Sequence, residues 1–513
     1  MASRSTSIVP LASMMGGNRK DGDASAGNRM NKEKVIHDVK VVRHGQTLIV
    51  PETLPLKDAI EVLKRQIKSE EEIMAVSEVV ECFPLEGALA LKKAMERTFG
   101  YAQNTATLTL FGKKPPQEIA LETGIGEKVM VPWGKFRWPL APQDEDEGME
   151  TEWLQTSYTM KEGRAVFQCA GQVKRKYKPN IEALFNLVRE IVEKESVYRG
   201  KAIRIEFTNE DGEDNPLPSP KFMDVEHVRL DELVYTRELE QLIEVNMMAP
   251  IKHAAAFREA QIPLKTGILA AGEYGTGKSL LARSVARVGT EHGWTYLYVK
   301  NAAELPQAIR FAKMYQPCIV FAEDLDRATS GERTDEIDKI LNTLDGIDTK
   351  HHEIMTIVTT NHLDKINDAM LRPGRLDLVL HITKPDAEAA SRLIFNYARN
   401  MLAENVDLTE VGEILASCNP TQGHPEGTGV SAAVIREVVE RSKRATIART
   451  GRVGSVVTAD DLRNAALSVK QQQELVKKAP ISGPTLEDKL VQVMEKAVDN
   501  SATIKGIKQY INS

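Results

Sequence analysis

Two short stretches carry residue types and spacings suited to phosphate chemistry. The first, GEYGTGKS at 272–279, satisfies G-x-x-x-x-G-K-[ST] with Gly272, Gly277, Lys278 and Ser279. Glycines at 272, 275 and 277 let backbone N–H groups wrap an anion, and a helix N-terminus adds a favourable dipole. Lys278 is long enough to reach β- and γ-phosphates, and Ser279 offers a hydroxyl to Mg²⁺. The whole run Gly272, Glu273, Tyr274, Gly275, Thr276, Gly277, Lys278, Ser279 and Leu280 is therefore the expected nucleotide-binding segment. The second stretch, CIVFAEDLD at 318–326, ends an apolar run in Glu323, Asp324 and Asp326. Carboxylates at a strand's C-terminal end lie beside the phosphate loop in doubly wound sheets, a position that suits catalysis.

These residues need an α/β frame, and the surrounding sequence supplies one. TGILAA precedes the glycine loop as a strand and LLARSVARV follows it as a helix; strand-like and helix-like segments then alternate to about residue 385. From 386 to 470 the pattern is almost entirely helical. Upstream, Leu56, Ile60, Leu63 and Ile67 share one helical face, as do Ile181, Leu184, Phe185, Val188 and Val192. ATLTLF at 106–111 and KAIRIEF at 201–207 alternate as strands do.

The expected division is a disordered tail at 1–34, an α/β N-terminal region of open role at 35–208 and a linker at 209–221. A parallel α/β domain carrying the glycine loop at 222–385, a helical domain at 386–470 and a helical tail at 471–513 follow. The acidic stretch 141–152 reads as a further linker or a surface loop.

With 513 residues, 42% hydrophobic and 27% charged, the chain has room for several cores. Its net charge of -6 gives no global attraction to nucleic acid. Cys82, Cys169, Cys318 and Cys418 are dispersed and form no C-x-x-C pair, which suggests reduced thiols and no zinc site. No apolar run is long enough to span a bilayer, and the expected compartment is the cytosol. KRKYK at 174–178 has the composition of a nucleic-acid contact but reads as a solvated strand end, and His351-His352 reads as exposed loop.

The segment from about 224 to 470 resembles the AAA family of ATPases, because several motifs recur in order. After the acids, TDEIDKILNTLDGI places Ile337, Ile340, Leu341 and Leu344 on one face and ends in the family's Asp345-Gly346. TIVTTN resembles the strand leading to the first sensor, Asn361, and DAMLRPGRLD resembles the second region of homology, with Arg372 and Arg375 at the arginine-finger positions. GTGVSAAVIREVVERS and VTADDLRNAAL resemble lid helices.

The resemblance implies a P-loop core with a parallel sheet and a helical lid, ATP and Mg²⁺ as ligands, and ATP hydrolysis. It further implies that Asn361 orients the attacking water and that Arg372 and Arg375 enter a neighbouring subunit's site, hence a ring, expected as a homo-hexamer. A protein target would be chosen through the N-terminal region.

Two departures from the family bear on mechanism. The acid pair, normally Asp then Glu, is reversed: Glu323 falls at the metal side with Ser279, and Asp324 at the water-activating position. Asp is one methylene shorter, and misplacing water by about 1 Å can cost about a hundredfold in rate. Glu323 reaching across to act as the base is the alternative. Second, the interval 300–317 is shorter than in protein-threading members and lacks the aromatic–apolar–Gly pore loop; Phe311 and Tyr315 read as core. The function expected is ATP-driven remodelling of a protein assembly. The alternatives are a nucleotide-gated scaffold with negligible turnover and an ATP-dependent nucleic-acid loader or packaging accessory.

Overall fold

The computed structural model describes residues 54–109, 112–141, 152–208, 215, 217–326, 340–344, 352–372, 374–402, 406–418, 429–452 and 456–478, together with strands at 8–10, 38–43 and 46–51. Most of the stretches read as tails or linkers lie outside these residues, as do Ile337, Asp345, Gly346 and His351. One part of the expected tail departs from that reading. Ile8–Pro10 pairs antiparallel with Asp38–Arg43, where β-branched Ile8 and Val9 stand opposite Val41 and Lys40.

The N-terminal part is an antiparallel sheet under two helices. Helix α1 (Leu56–Glu71) leads into strand β1 (Ile73–Val80) and helix α2 (Pro84–Phe99). Strands β2 (Asn104–Thr105), β3 (Lys135–Arg137), β4 (Trp153–Lys161) and β5 (Arg164–Lys174) follow, then helix α3 (Lys178–Lys194). The sheet order is β1-β5-β4-β3-β2. Ala88, Leu91 and Met95 of α2 and Leu184 and Val188 of α3 are buried, as their helical spacing demands. Helix α1 forms as expected, but Leu56, Ile60 and Ile67 of its apolar face stay exposed.

Strands β6 (Ala202–Arg204), β7 (Lys221–Phe222), β8 (Thr266–Ala271), β9 (Thr295–Val299), β10 (Cys318–Ala322), β11 (Ile354–Thr360) and β12 (Leu378–His381) make a second sheet, ordered β7-β6-β9-β10-β11-β8-β12. All neighbours are parallel except β7 with β6. Its central strands are buried along nearly their whole length, which is why they read as continuous apolar runs without alternation. Helix α4 (Lys278–Glu291) follows β8, and helix α5 (Leu305–Ala312) lies between β9 and β10.

The strand at 201–207 was expected within the N-terminal region. It is β6, and it extends the parallel sheet through its pairing with β9. The reason is visible in the packing: one hydrophobic core runs from α2 and β5 through Tyr198, Ile203 and Phe207 to α5 and β10. Phe83 lies 6.0 Å from Tyr198 and 6.3 Å from Phe311 between ring centroids, and Tyr315 lies 5.1 Å from Phe311. Phe311 and Tyr315 are buried, as their helical reading required.

Helices α6 (Ala387–Ala398), α7 (Thr409–Ala416), α8 (Ala432–Thr450) and α9 (Ala459–Lys478) form the lid around a separate core of Leu393, Val411, Leu415, Ile435, Val439 and Leu462. Asp386 caps α6 by accepting from the N–H of Ala389 at 2.7 Å. All four cysteines are buried as thiols, with no disulfide between them; burial pushes the Cys169 thiol up to about 12. The cations of KRKYK are ion-paired: Lys174 and Lys176 with Glu71, Arg175 with Glu72, and Lys178 with Glu182. His352 is half-buried against the side chain of Gln316. No helix among the described residues is long and apolar enough to cross a membrane.

Candidate nucleotide site

Strand β8 ends at Ala271, the chain reverses through Gly272–Gly277, and α4 begins at Lys278. Gly275 and Gly277 have φ of 77° and 109°, a region that favours glycine. A Cβ on Gly275 would also stand 3.2 Å from Ser431 Oγ and 3.3 Å from Ala433 Cβ, where the lid helix α8 begins. The loop is braced from within and behind. Thr276 Oγ1 donates to the Glu273 carbonyl at 2.8 Å, and the buried Tyr235 hydroxyl donates to the Gly277 carbonyl at 3.0 Å. Lys384 pairs with the Glu273 carboxylate at 3.0 Å.

Lys278 Nζ folds back on the loop and donates to the carbonyls of Gly272 at 2.5 Å and Glu273 at 2.8 Å. Burial lowers its pKa, opposed by the charges of Asp324, Asp326, Glu323 and Glu273. An ammonium held against carbonyls at reduced hydration is poised for a stronger anionic partner.

The two acids leave β10 in different directions. Glu323 Oε1 lies 3.5 Å from Ser279 Oγ on the α4 side. The Tyr298 phenol stands beside Glu323; burial first, then the charge and hydrogen bond of that carboxylate, push it up to about 12. Asp324 takes a φ of 55°, and its N–H donates to Thr359 Oγ1 at 3.2 Å. Its carboxylate accepts from Asn361 Nδ2 at 3.1 Å. Buried Asp326 accepts from Thr360 Oγ1 at 2.7 Å and from the Asn361 N–H at 3.1 Å, so it ties the end of β11 to the end of β10. Asn361 Oδ1 is buried and has no hydrogen-bond partner.

Tyr274, Gly275, Thr276, Gly277, Lys278, Ser279, Leu280, Glu323, Asp324 and Asn361 line one cleft of about 470 Å³. Gly272 and Glu273 stand behind it as partners of Lys278. Arg372 and Arg375 do not line this cleft; they flank a second cavity of about 330 Å³ with Asn367 and Asp368. Arg372 is exposed, and Arg375 donates to the Ala369 carbonyl.

Sequence reasoning did not find Glu232–Tyr235 along one wall, Thr359, or Tyr397 and Arg436 on the lid side. The Arg436 guanidinium lies 4.7 Å from the Tyr397 ring centroid and 3.5 Å from Glu232. Only the aromatic in LVY, just before an amphipathic helical stretch, signalled any of them; the rest converge by lid packing alone.

The donor set fits a nucleoside triphosphate with Mg²⁺. Glycines with positive φ leave room for backbone N–H groups to face phosphate. A half-buried lysine, a serine hydroxyl opposite a carboxylate, and an unsatisfied amide oxygen on Asn361 complete the set. Hard oxygen donors of this kind are what Mg²⁺ takes, alongside water and phosphate oxygens.

Comparison with known proteins falls on the same residues. Residues 268–384 match the ATPase family associated with various cellular activities (AAA). The chain is 27% identical over 267 residues to a proteasome-activating nucleotidase of Methanocaldococcus jannaschii, covering 48% of this chain and 56% of that protein. It is 31% identical over 198 residues to the 26S proteasome regulatory subunit 8 homolog of Schizosaccharomyces pombe, covering 34% and 48%. A third relative, the ATPase family gene 2 protein of the same yeast, is 28% identical over 214 residues, 38% of this chain and 26% of that protein. The chain thus spans about half the length of the first relatives it matches. With the phosphate loop on a central strand of a parallel sheet, the acids on the neighbouring strand end and a helical lid over the cleft, the chain carries an AAA ATPase domain over the matched residues 268–384.

Proposed function

We propose that this protein binds ATP with Mg²⁺, hydrolyses it, and uses the cycle within a ring, a homo-hexamer, to remodel a protein assembly selected by the N-terminal region. The observation that carries the hydrolytic reading is the Asp324–Asn361 pair, 3.1 Å apart, with the free Oδ1 of Asn361 buried beside it at the cleft. A carboxylate and an amide oxygen so placed are two acceptors for one water molecule, the arrangement needed to orient it and take its proton. Glu323, opposite Ser279, is left to the metal side. When bound, Mg²⁺ neutralises the charge on the β- and γ-phosphate oxygens. Lys278 turns from its carbonyl partners to those oxygens, and the loop N–H groups hold the phosphates in line.

Arg372 and Arg375 are fingers for a neighbouring copy in this reading, supported by the exposure of Arg372 and by the placement of both at a cavity other than the chain's own cleft. The relatives whose names include the proteasome favour protein targets over nucleic acid. The N-terminal region covers α5, the element that follows β9, with Phe311 and Tyr315 buried in the shared core. That burial favours remodelling without gripping a polypeptide on this element. It also supports the second reading, a nucleotide-gated scaffold.

Steady-state phosphate release and equilibrium ATP binding separate the two. The expected result is turnover in wild type, binding abolished in Lys278→Ala, and turnover reduced by about a hundredfold or more in Asp324→Asn with binding retained. Loss of turnover in Glu323→Gln with full turnover in Asp324→Asn would exchange the roles of the acids. Binding without turnover in wild type, with and without added protein partner, would establish the scaffold.

A further inference from the structure

The reversal of the acid pair puts the longer side chain at the metal side. Glu323 has one more rotatable bond than an aspartate there, so its carboxylate needs a tether to stay beside Ser279. The neighbouring strand supplies one. Strands β9 and β10 run parallel with Tyr298 opposite Phe321, and their rings stack at 6.2 Å with planes 9° apart. Glu323 is two residues beyond Phe321, so the pleat sends both side chains to the same face as Tyr298. The pleat persists past the strand end, because the Glu323 N–H still donates to the Val299 carbonyl at 3.4 Å. The Glu323 carbonyl in turn accepts from Ala302 at 3.2 Å. This register faces the Tyr298 phenol toward the Glu323 carboxylate, and Ser279 Oγ stands 3.5 Å from that carboxylate.

We infer that Tyr298 is a positioning residue for the metal side of the nucleotide site: its hydroxyl, at the end of a ring clamped on Phe321, holds the Glu323 carboxylate toward Ser279. This rests on the reading of the cleft as an ATP–Mg²⁺ site. Tyr298 is outside the cleft lining; it removes the rotational freedom that the longer acid introduces. A phenol is suited to the task because its stacked ring is rigid and its donor is fixed at the far end.

The test is equilibrium binding of a fluorescent ATP analogue to the full chain, first in EDTA and then over a Mg²⁺ titration. Wild type, Tyr298→Phe, Glu323→Gln, the double variant and Lys278→Ala are compared. Tyr298→Phe keeps the stacked ring and removes only the donor. The expected result is unchanged affinity in EDTA and a Mg²⁺ midpoint raised about tenfold, the usual scale for losing a partner behind a metal-side group. In the Glu323→Gln background the Tyr298 change should add no further shift. An unchanged midpoint in Tyr298→Phe, an equal loss in EDTA, or an additive shift in the double variant would overturn the inference while leaving the ATP site intact. Failure of wild type to bind the analogue, or Lys278→Ala binding as wild type does, would overturn the site reading and this inference with it.

Discussion

Asp324 and Glu323 leave the same strand end one residue apart, and the backbone separates their directions. The left-handed φ of 55° at Asp324 is unusual for a residue with a Cβ, though aspartate tolerates it better than most. That turn brings the shorter carboxylate to Asn361, while Glu323 follows the pleat toward Ser279. A second close fit lies at Gly267, near the start of β8. A Cβ built there would meet the Arg375 carbonyl at 1.7 Å and the Arg375 carbonyl carbon at 2.7 Å. The obstructing atoms are backbone and cannot rotate away. Gly267→Ala should therefore displace the Arg372–Leu376 segment from β8 and cost about 1–3 kcal/mol, read as a lower midpoint of chemical denaturation.

The seam between α2 and the segment after α5 is held by a buried polar network. Glu86 Oε1 accepts from Ser196 Oγ at 2.6 Å and from the Val197 N–H at 2.7 Å, and Oε2 accepts from the Tyr315 hydroxyl at 2.5 Å. Tyr315 in turn accepts from the Phe83 N–H at 2.9 Å. Burial raises the pKa of Glu86 from its ordinary 4.5, although these hydrogen bonds oppose the shift. A carboxyl whose folded pKa is raised contributes stability that is fully present below its unfolded value and is lost as pH rises through the folded one. Denaturation midpoints measured upward from pH 4.5 should accordingly shift in favour of Glu86→Gln relative to wild type. Glu86→Ala, which leaves buried donors unpaired, should cost about 1–3 kcal/mol at every pH. A constant difference between wild type and Glu86→Gln across that range would show that Glu86 does not titrate on unfolding.

At the scale of the molecule, the cleft is lined by Tyr274–Leu280, both acids and Asn361, whereas Arg372 and Arg375 stand at another cavity. In the proposed ring, each subunit would complete its neighbour's site. Arg372→Ala should then bind ATP normally and lose about a thousandfold in turnover. Mixing it with Lys278→Ala should restore part of the activity, because an intact finger on the Lys278 variant can serve an intact phosphate loop on the Arg372 variant. Absence of complementation in a mixture that native mass spectrometry shows to be co-assembled would count against fingers acting between subunits.

Local chemistry made the phosphate loop, the strand-end acids and the helical lid legible in the sequence. Each depends on residues close together along the chain, where glycine conformation, apolar runs and helical spacing act directly. Their family order carried the expectation to Asn361 and to the arginines. What only tertiary structure decided involves partners far apart in sequence: Asp324 with Asn361, Tyr298 with Glu323, and Arg436 over Tyr397. The same holds for β6, whose short alternating sequence suits either sheet. Its membership was settled by packing, because Ile203 and Phe207 find their core with α5 and β10. Periodicity specifies which face of a strand is apolar, but the neighbour that covers that face is chosen by the shape of the assembled core.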